Sequence, residues 1–237
     1  MKKIVAIAAF LGLITLTSTA QADLRLGFQV SPTFSWMTTD DSEINNNGTN
    51  LGLKLGARGE VFFRENYAFL IGLGFAFNSG GQLRHNEFSD AWQRSDIPNG
   101  VIVPFPAGSD LRYNLQYVEI PFGLKFRTNE IGYLRYYAEL PVITLGFKSQ
   151  ARGQIQYSNI NEDKIDIKKE VTPLALSWGV GGGVEYSVSE GTSLIGGISY
   201  QRGFTDVTKD YGAKNGAAAV NEKATISSFI VHLGVMF

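Results

Sequence analysis

Apolar residues recur at every second position in eight stretches of this chain, the period of a strand whose two faces meet different surroundings. In the first stretch Leu24, Leu26, Phe28, Val30, Phe34 and Trp36 alternate with Arg25, Gly27, Gln29, Ser31 and Ser35. The second sets Leu51, Leu53, Leu55, Ala57, Val61 and Phe63 against Gly52, Lys54, Gly56, Arg58 and Glu60. Tyr67 to Phe77 and Val118 to Phe126 follow, the latter facing Glu119, Gly123 and Lys125. Leu134 to Val142 carries Arg135, Tyr137 and Glu139 on its polar side, and Leu174 to Tyr186 carries Ala175, Ser177, three glycines (179, 181 and 183) and Glu185. A weaker seventh stretch runs from Leu194 to about Gly203, and the last, Phe229 to Phe237, ends on an aromatic side chain.

The connections alternate in length. RENY, TNEIG and VSEGT are tight turns after the second, fourth and sixth stretches. Long polar segments follow the first, third, fifth and seventh, over 38–50, about 80–113, about 148–172 and about 205–223. A sandwich has no reason to sort its loops by parity, whereas an outer-membrane barrel keeps short turns on the periplasmic side and long loops outside. The pattern therefore predicts an all-β, eight-stranded antiparallel up-and-down transmembrane β-barrel.

The assignment of faces follows from volume. An eight-stranded barrel has an interior that side chains just fill. Phe and Leu on every strand are too bulky for it, while glycines interleaved with long charged residues fit. The bulky face is therefore expected to meet lipid. Backbone groups in hydrocarbon need internal partners, which only a closed sheet supplies, so the last strand must pair with the first. Two aromatic belts are expected: Phe63, Tyr67, Phe126, Tyr186 and Phe237 at the short-turn end, and Phe34, Trp36, Phe75, Phe77, Trp178 and Tyr200 at the other.

Composition narrows the class further. Glycine is abundant (27), aromatics make up 12%, charged residues only 18%, and there is no cysteine. Lys2 and Lys3 precede an apolar run from Ile4 to about Leu16 and an Ala20–Ala22 cleavage pattern, which reads as a signal peptide over 1–22. The barrel domain then spans 23–237, with 19 basic and 22 acidic residues. That balance argues against a nucleic-acid partner.

The inward face sets the candidate site. Lys54, Arg58, Lys125 and Arg135 face Glu60, Glu119, Glu139 and Glu185 across the lumen, with Arg25 and Arg127 adding further cations. An unpaired charge in a narrow lumen costs several kcal/mol, so an ion-pair network is expected. Counting from the 128–132 turn places Lys125 opposite Arg135 and Glu119 opposite Pro141. Glu185 is then the candidate partner of Arg135, with Lys54 and Arg58 the candidates for Glu119 and Glu139. A selectivity path or a catalytic carboxylate pair is the functional alternative to plugging.

Catalytic signatures are sparse. There are two histidines. His232 points inward with no serine two residues on; His85 lies in the second long loop near Ser89 and Asp90. GVGGGVE at 179–185 leads into a turn rather than a helix, so it is not a phosphate loop. TTDDSEINNNGTN is acidic enough for a weak ion site at most. Neither a cofactor nor a resident metal is expected. IPNGVIVPFPAG in the second long loop is an apolar patch suited to fold over the barrel mouth or to contact a partner. The third loop keeps a loose alternation through Ile155, Tyr157, Ile165 and Ile167, predicting a hairpin that extends past the membrane.

The stretch YVEIPFGLKFRTNEIGYLRYYAEL, residues 117–140, resembles the PorT-type outer-membrane β-barrel proteins of Bacteroidetes. Tyr117, Glu119, Pro121, Lys125, Arg127, Thr128, Asn129 and Glu130 match the pattern of that family. AELPVITLGF departs from the glycine-rich fifth strand of the family. The resemblance implies an integral outer-membrane protein with a role in type IX protein secretion, and no family active-site residues to carry over. The terminal Phe237 is similar to the signal read by barrel-assembly machinery. Expected partners are thus outer-membrane lipid, that machinery, and a secretion-system component or surface partner. A narrow channel and a lipid-modifying enzyme stand as alternatives to this non-enzymatic reading.

Overall fold

The computed structural model describes residues 23–209 and 223–237. The expected signal peptide, 1–22, and positions 210–222 of the fourth long loop lie outside them. Nine strands form, and no helix occurs among the described residues: β1 (Asp23–Thr39), β2 (Ile44–Arg64), β3 (Tyr67–His85), β4 (Ser109–Arg127), β5 (Leu134–Tyr157), β6 (Ile160–Asp166), β7 (Leu174–Ser189), β8 (Thr192–Gly203) and β9 (Ala224–Met236).

Eight of them close a ring. The sheet runs β4-β3-β2-β1-β9-β8-β7-β5, and β4 pairs with β5 to complete the circle. Every pairing is antiparallel. β9 joins β1 from Gly27↔Met236 to Thr39↔Ala224, and the Phe237 N–H donates to Leu26 O at 2.7 Å. The apolar C-terminus thus seals the seam, leaving no open edge in the ring. β6 stands outside the ring, paired with the far end of β5 as the upper half of a hairpin.

The bulky face points outward, as the volume argument requires. Leu73 is 53% and Phe122 42% exposed, with Leu26, Phe28, Phe69, Ile71, Phe229 and Leu233 in the same belt. Aromatics gather at both ends of it. Phe63, Tyr67, Phe69 and Phe126 form one cluster with centroids 4.8–6.1 Å apart, and Trp36, Tyr200 and Phe229 form the other at 5.3–6.3 Å. Aromatic girdles of this kind mark the two interfaces of an outer-membrane barrel.

Strand lengths differ from the sequence expectation. The first long loop shrinks to 40–43, the second to 86–108, and most of the third becomes the β5–β6 hairpin. The cause is a change of phase within single strands. On β4, even positions Val118, Ile120, Phe122, Leu124 and Phe126 are apolar up to Tyr117. Beyond it the odd positions Leu111, Tyr113, Leu115 and Tyr117 are apolar and buried, while Asp110, Arg112, Asn114 and Gln116 take the outer face. The strand runs on; only the solvent outside it has changed from lipid to water. At the same level the β3–β4 ladder slips between Ala76 and Ser79, and the β4–β5 ladder slips between Gln116 and Tyr117.

Above that level the cylinder has an apolar core. Met37, Leu83, Trp92, Phe105, Leu111, Leu115, Ile155, Ile167 and Val207 pack together inside it. The head is closed beside β6 by short backbone links, Thr172 N to Val207 O and Val207 N to Ala224 O, both 2.8 Å. The protein is therefore a membrane barrel below and a small water-soluble barrel above, built from the same strands.

Candidate functional site

The lower lumen is organised around Lys125, which has no exposed side-chain surface. Its position on β4 faces inward opposite Glu139 of β5. Its Nζ lies 2.6 Å from Glu60 Oε1, contacts Glu185 and sits 4.6 Å over the Tyr137 ring. Arg25 reaches Glu185 at 3.2 Å and Ser193 Oγ at 2.8 Å. Arg58 bridges Glu60 at 3.2 Å and pairs with Glu139. Higher up, Lys54 meets Glu119 at 2.8 Å and Gln201 Oε1 at 2.7 Å. Four cations thus meet four carboxylates. Such pairs contribute little net stability, because desolvation offsets attraction, but each becomes costly once its partner is removed.

Two register expectations are corrected. Lys125 opposes Glu139 rather than Arg135, and Glu119 opposes Gly146 rather than Pro141. The hairpin is longer than counted: Thr128 N still bonds Tyr136 O, with the Ile131↔Leu134 bridge at its tip. The displacement is four residues at Lys125 and, past the irregularity between Gly123 and Lys125, five at Glu119, whereas Lys54 with Glu119 and Arg58 with Glu139 pair as expected. Arg135 does lie beside Glu185 in the β5–β7 ladder, but its guanidinium turns to Glu130 at 2.5 Å, leaving Glu185 to Arg25 and Lys125. Arg135 and Arg127 belong to the short-turn mouth. There Arg127 stacks 3.8 Å over Phe62, donates from Nε to Glu65 O at 3.0 Å, and stays 3.9 Å from Glu185. That mouth is a cleft of about 450 Å³ whose lining of Asp23, Glu65, Glu130, Arg64, Arg127 and Arg135 is balanced in charge.

Above Lys125 lies a luminal cavity of about 120 Å³ bordered by Gln29, Lys54, Glu119, Ser199 and His232. Glycines 56, 72, 74, 179 and 181 are in its lining, where a Cβ would press on atoms of the neighbouring strands at 2.6–3.0 Å. Gln29 Nε2 lies 2.7 Å from His232 Nδ1 and Ser199 Oγ 2.7 Å from Nε2. If the amide donates to Nδ1, Nε2 carries the proton and donates to the serine. No serine stands two residues beyond His232 in sequence; the ladder supplies Ser199 from the neighbouring strand instead. Only strand register could have found it. Gln29, Gln201 and Ser193 were missed likewise, because uncharged residues on a polar face carry no signal of their own.

The remaining candidates are not assembled into sites. His85 ends β3 and is buried in the head, while the Ser89 backbone pairs with Phe105. Burial holds the His85 imidazole down to about 4, against the opposing pull of Asp41 and Asp110. Among the described residues no cluster of three histidine, aspartate or glutamate side chains could hold a metal. Asp41 instead accepts the Glu43 N–H at 2.7 Å, an ordinary turn bond. The apolar patch of the second loop splits: Phe105 is buried in the mouth, while Ile102 and Val103 stay outside.

A closed ring of eight strands, bulky outside and ion-paired inside, is a bacterial outer-membrane design. Residues 17–209 match the outer membrane protein beta-barrel domain. The chain belongs to that family. The outer membrane is accordingly its location. No curated protein matches. Among solved structures, Neisserial surface protein A is 11% identical with TM-score 0.42, 90% of this chain and 95% of that chain being covered. OprG from Pseudomonas aeruginosa is 8% identical with TM-score 0.45, covering 91% and 96%. The outer membrane protease OmpT from Escherichia coli is 9% identical with TM-score 0.45, covering 94% and 98%. In this outer-membrane barrel the lumen is filled by side chains, and its long-loop end is capped by the apolar head.

Proposed function

We propose that this protein is a non-enzymatic outer-membrane barrel whose folded head, facing outside the cell, is a docking surface for a partner, with the short turns in the periplasm. One observation carries the reading: the lumen is closed twice. The Lys125 ion-pair layer blocks it below, and the apolar core of the head blocks it above. A solute would have to break buried ion pairs and then cross a dry core, so a channel is disfavoured. The Ser199–His232 pair lies between the two closures, out of reach of a lipid substrate, which disfavours an enzyme. What remains accessible is the head and the turns.

The resemblance to PorT-type proteins suggests a secretion assembly as the partner. Yet most of the residues carrying it have structural work within the barrel. Glu119 and Lys125 are paired in the lumen, Tyr117 packs in the head, and Arg127, Thr128 and Asn129 stitch the turns, Asn129 accepting from Asn66 at 2.8 Å. They do not by themselves mark a docking surface. Two experiments test the proposal. Purified protein in planar bilayers is expected to pass no current; steady single-channel conductance would overturn the closed-lumen reading. Crosslinking in native membranes is expected to recover a reproducible partner, and deletion scored for protein export tests whether that partner is a secretion machine.

A further inference from the structure

Trp92 is held in the head at an unusual cost. Its backbone lies in the left-handed region, φ 59°, where a bulky residue is strained. Its indole N–H is buried without a partner, although tryptophan donors inside proteins ordinarily find one. Its ring rests on Gly153, where a Cβ would come within 2.4 Å of the indole edge, so the floor is shaped to a flat ring. Tyr113 and Phe105 meet it edge-on at 5.3 and 6.2 Å. The seat is thus an aromatic slot, with Gly153 and Tyr113 supplied by the ring strands and Phe105 by the base of the same loop.

The segment carrying the plug is closed on itself by the Ser89–Phe105 backbone pair and held to the barrel from outside at a few points. Trp92 opens a turn closed by Ser95 N to Trp92 O at 3.1 Å. Glu170, buried on the far side of the mouth, accepts from Arg94 N at 2.6 Å and from Ser95 Oγ at 3.2 Å with one carboxylate oxygen. Elsewhere Ile102 N donates to Tyr157 Oη at 2.7 Å. The Glu170 latch and a strained, donor-orphaned plug oppose each other.

We propose that the slot now filled by Trp92 is a binding site for a planar aromatic group from outside the barrel, and that the second long loop is its lid. Free ligand competes with the tethered indole. It gains a seat of the same shape and pays neither the backbone strain nor, if it lacks a polar N–H, the orphaned donor. Apparent affinity then scales with the open fraction of the lid. The slot is separate from the partner-docking reading, and its test has a readout independent of any partner.

The test uses the full chain in phospholipid nanodiscs with 5-fluoroindole and 4-fluorotoluene as probes, read by fluorine NMR, and hydrogen exchange over residues 88–105. Saturable binding to the wild type is expected at millimolar probe, faster exchange of 88–105 with 111–117 unchanged, and binding about tenfold tighter in Glu170→Gln, whose weakened latch opens the lid more often. Gly153→Leu, which fills the slot, should abolish it. If neither wild type nor Glu170→Gln binds either probe saturably, while Trp92→Gly alone does, the slot is only an engineered cavity and the proposal fails. Exchange of 88–105 that always matches that of 111–117 would refute the lid.

Discussion

Lys125 shows how much a single position can carry. It neutralises Glu60 and Glu185 where no water reaches. Replacing it with methionine leaves two carboxylates facing each other, and is expected to cost about 3–5 kcal/mol of barrel stability, read by urea unfolding in vesicles. Adding Glu185→Gln should restore part of that loss; strict additivity would mean that the two residues do not interact. His85 provides a pH test of the head. Its folded value of about 4 lies below the unfolded 6.5, so the unfolded state binds the proton first. Its contribution, up to about 3 kcal/mol, is present above pH 6.5 and is lost as pH falls toward 4. The charged groups facing it are Asp41 and Asp110, with Arg84 bound to Asp110 at 3.0 Å. Hydrogen exchange of the head at pH 7 and pH 4.5 should show a loss of protection that is smaller in His85→Gln. At this scale the sequence revealed which side chains point inward, because parity alone decides that. Lys54–Glu119 and Arg58–Glu139 were named from the sequence, whereas Lys125–Glu60, which joins β4 to β2 across β3, was not, since it depends on the registers of three strands.

Individual strands carry the boundary between two solvents. β4 is apolar outward through Val118–Phe126 and apolar inward through Leu111–Tyr117, with no break in the strand. Opposite substitutions should therefore behave oppositely at its two ends and on its neighbour. Leu73→Arg, on the lipid face, is expected to cost about 2–4 kcal/mol and to reduce membrane insertion. Gln116→Arg, outward in the head, should be nearly neutral. Leu115→Ala should cost about 2–5 kcal/mol within the head and raise its protease sensitivity while leaving the barrel below intact. The same phase switch explains why strand ends were misjudged from the sequence. A stretch such as DLRYNLQY has strand alternation, but with the apolar parity reversed from the membrane part, and so read as loop.

The whole molecule is a cylinder closed three ways: by the β9–β1 seam, by ion pairs in the lumen and by the apolar head. The ring, the seam and the alternation of turns and loops were legible, because each follows from keeping backbone and charge out of hydrocarbon. The head was legible in part, through the loop segment at Phe105 suited to cover the mouth and the extended β5–β6 hairpin, but the seating of Trp92 on Gly153 is a tertiary event without a periodic signature. One claim supports all of this: the bulky face meets lipid up to Tyr117, and the polar face meets water above it. The chain has no cysteine, so single cysteines can be placed at will. Spin labels at each position from 110 to 126, in vesicles, should report oxygen collision peaking at even positions from 118 to 126, and nickel-chelate collision peaking at even positions from 110 to 116. Oxygen access that peaked at Glu119, Gly123 and Lys125, or that showed no alternation, would contradict the account.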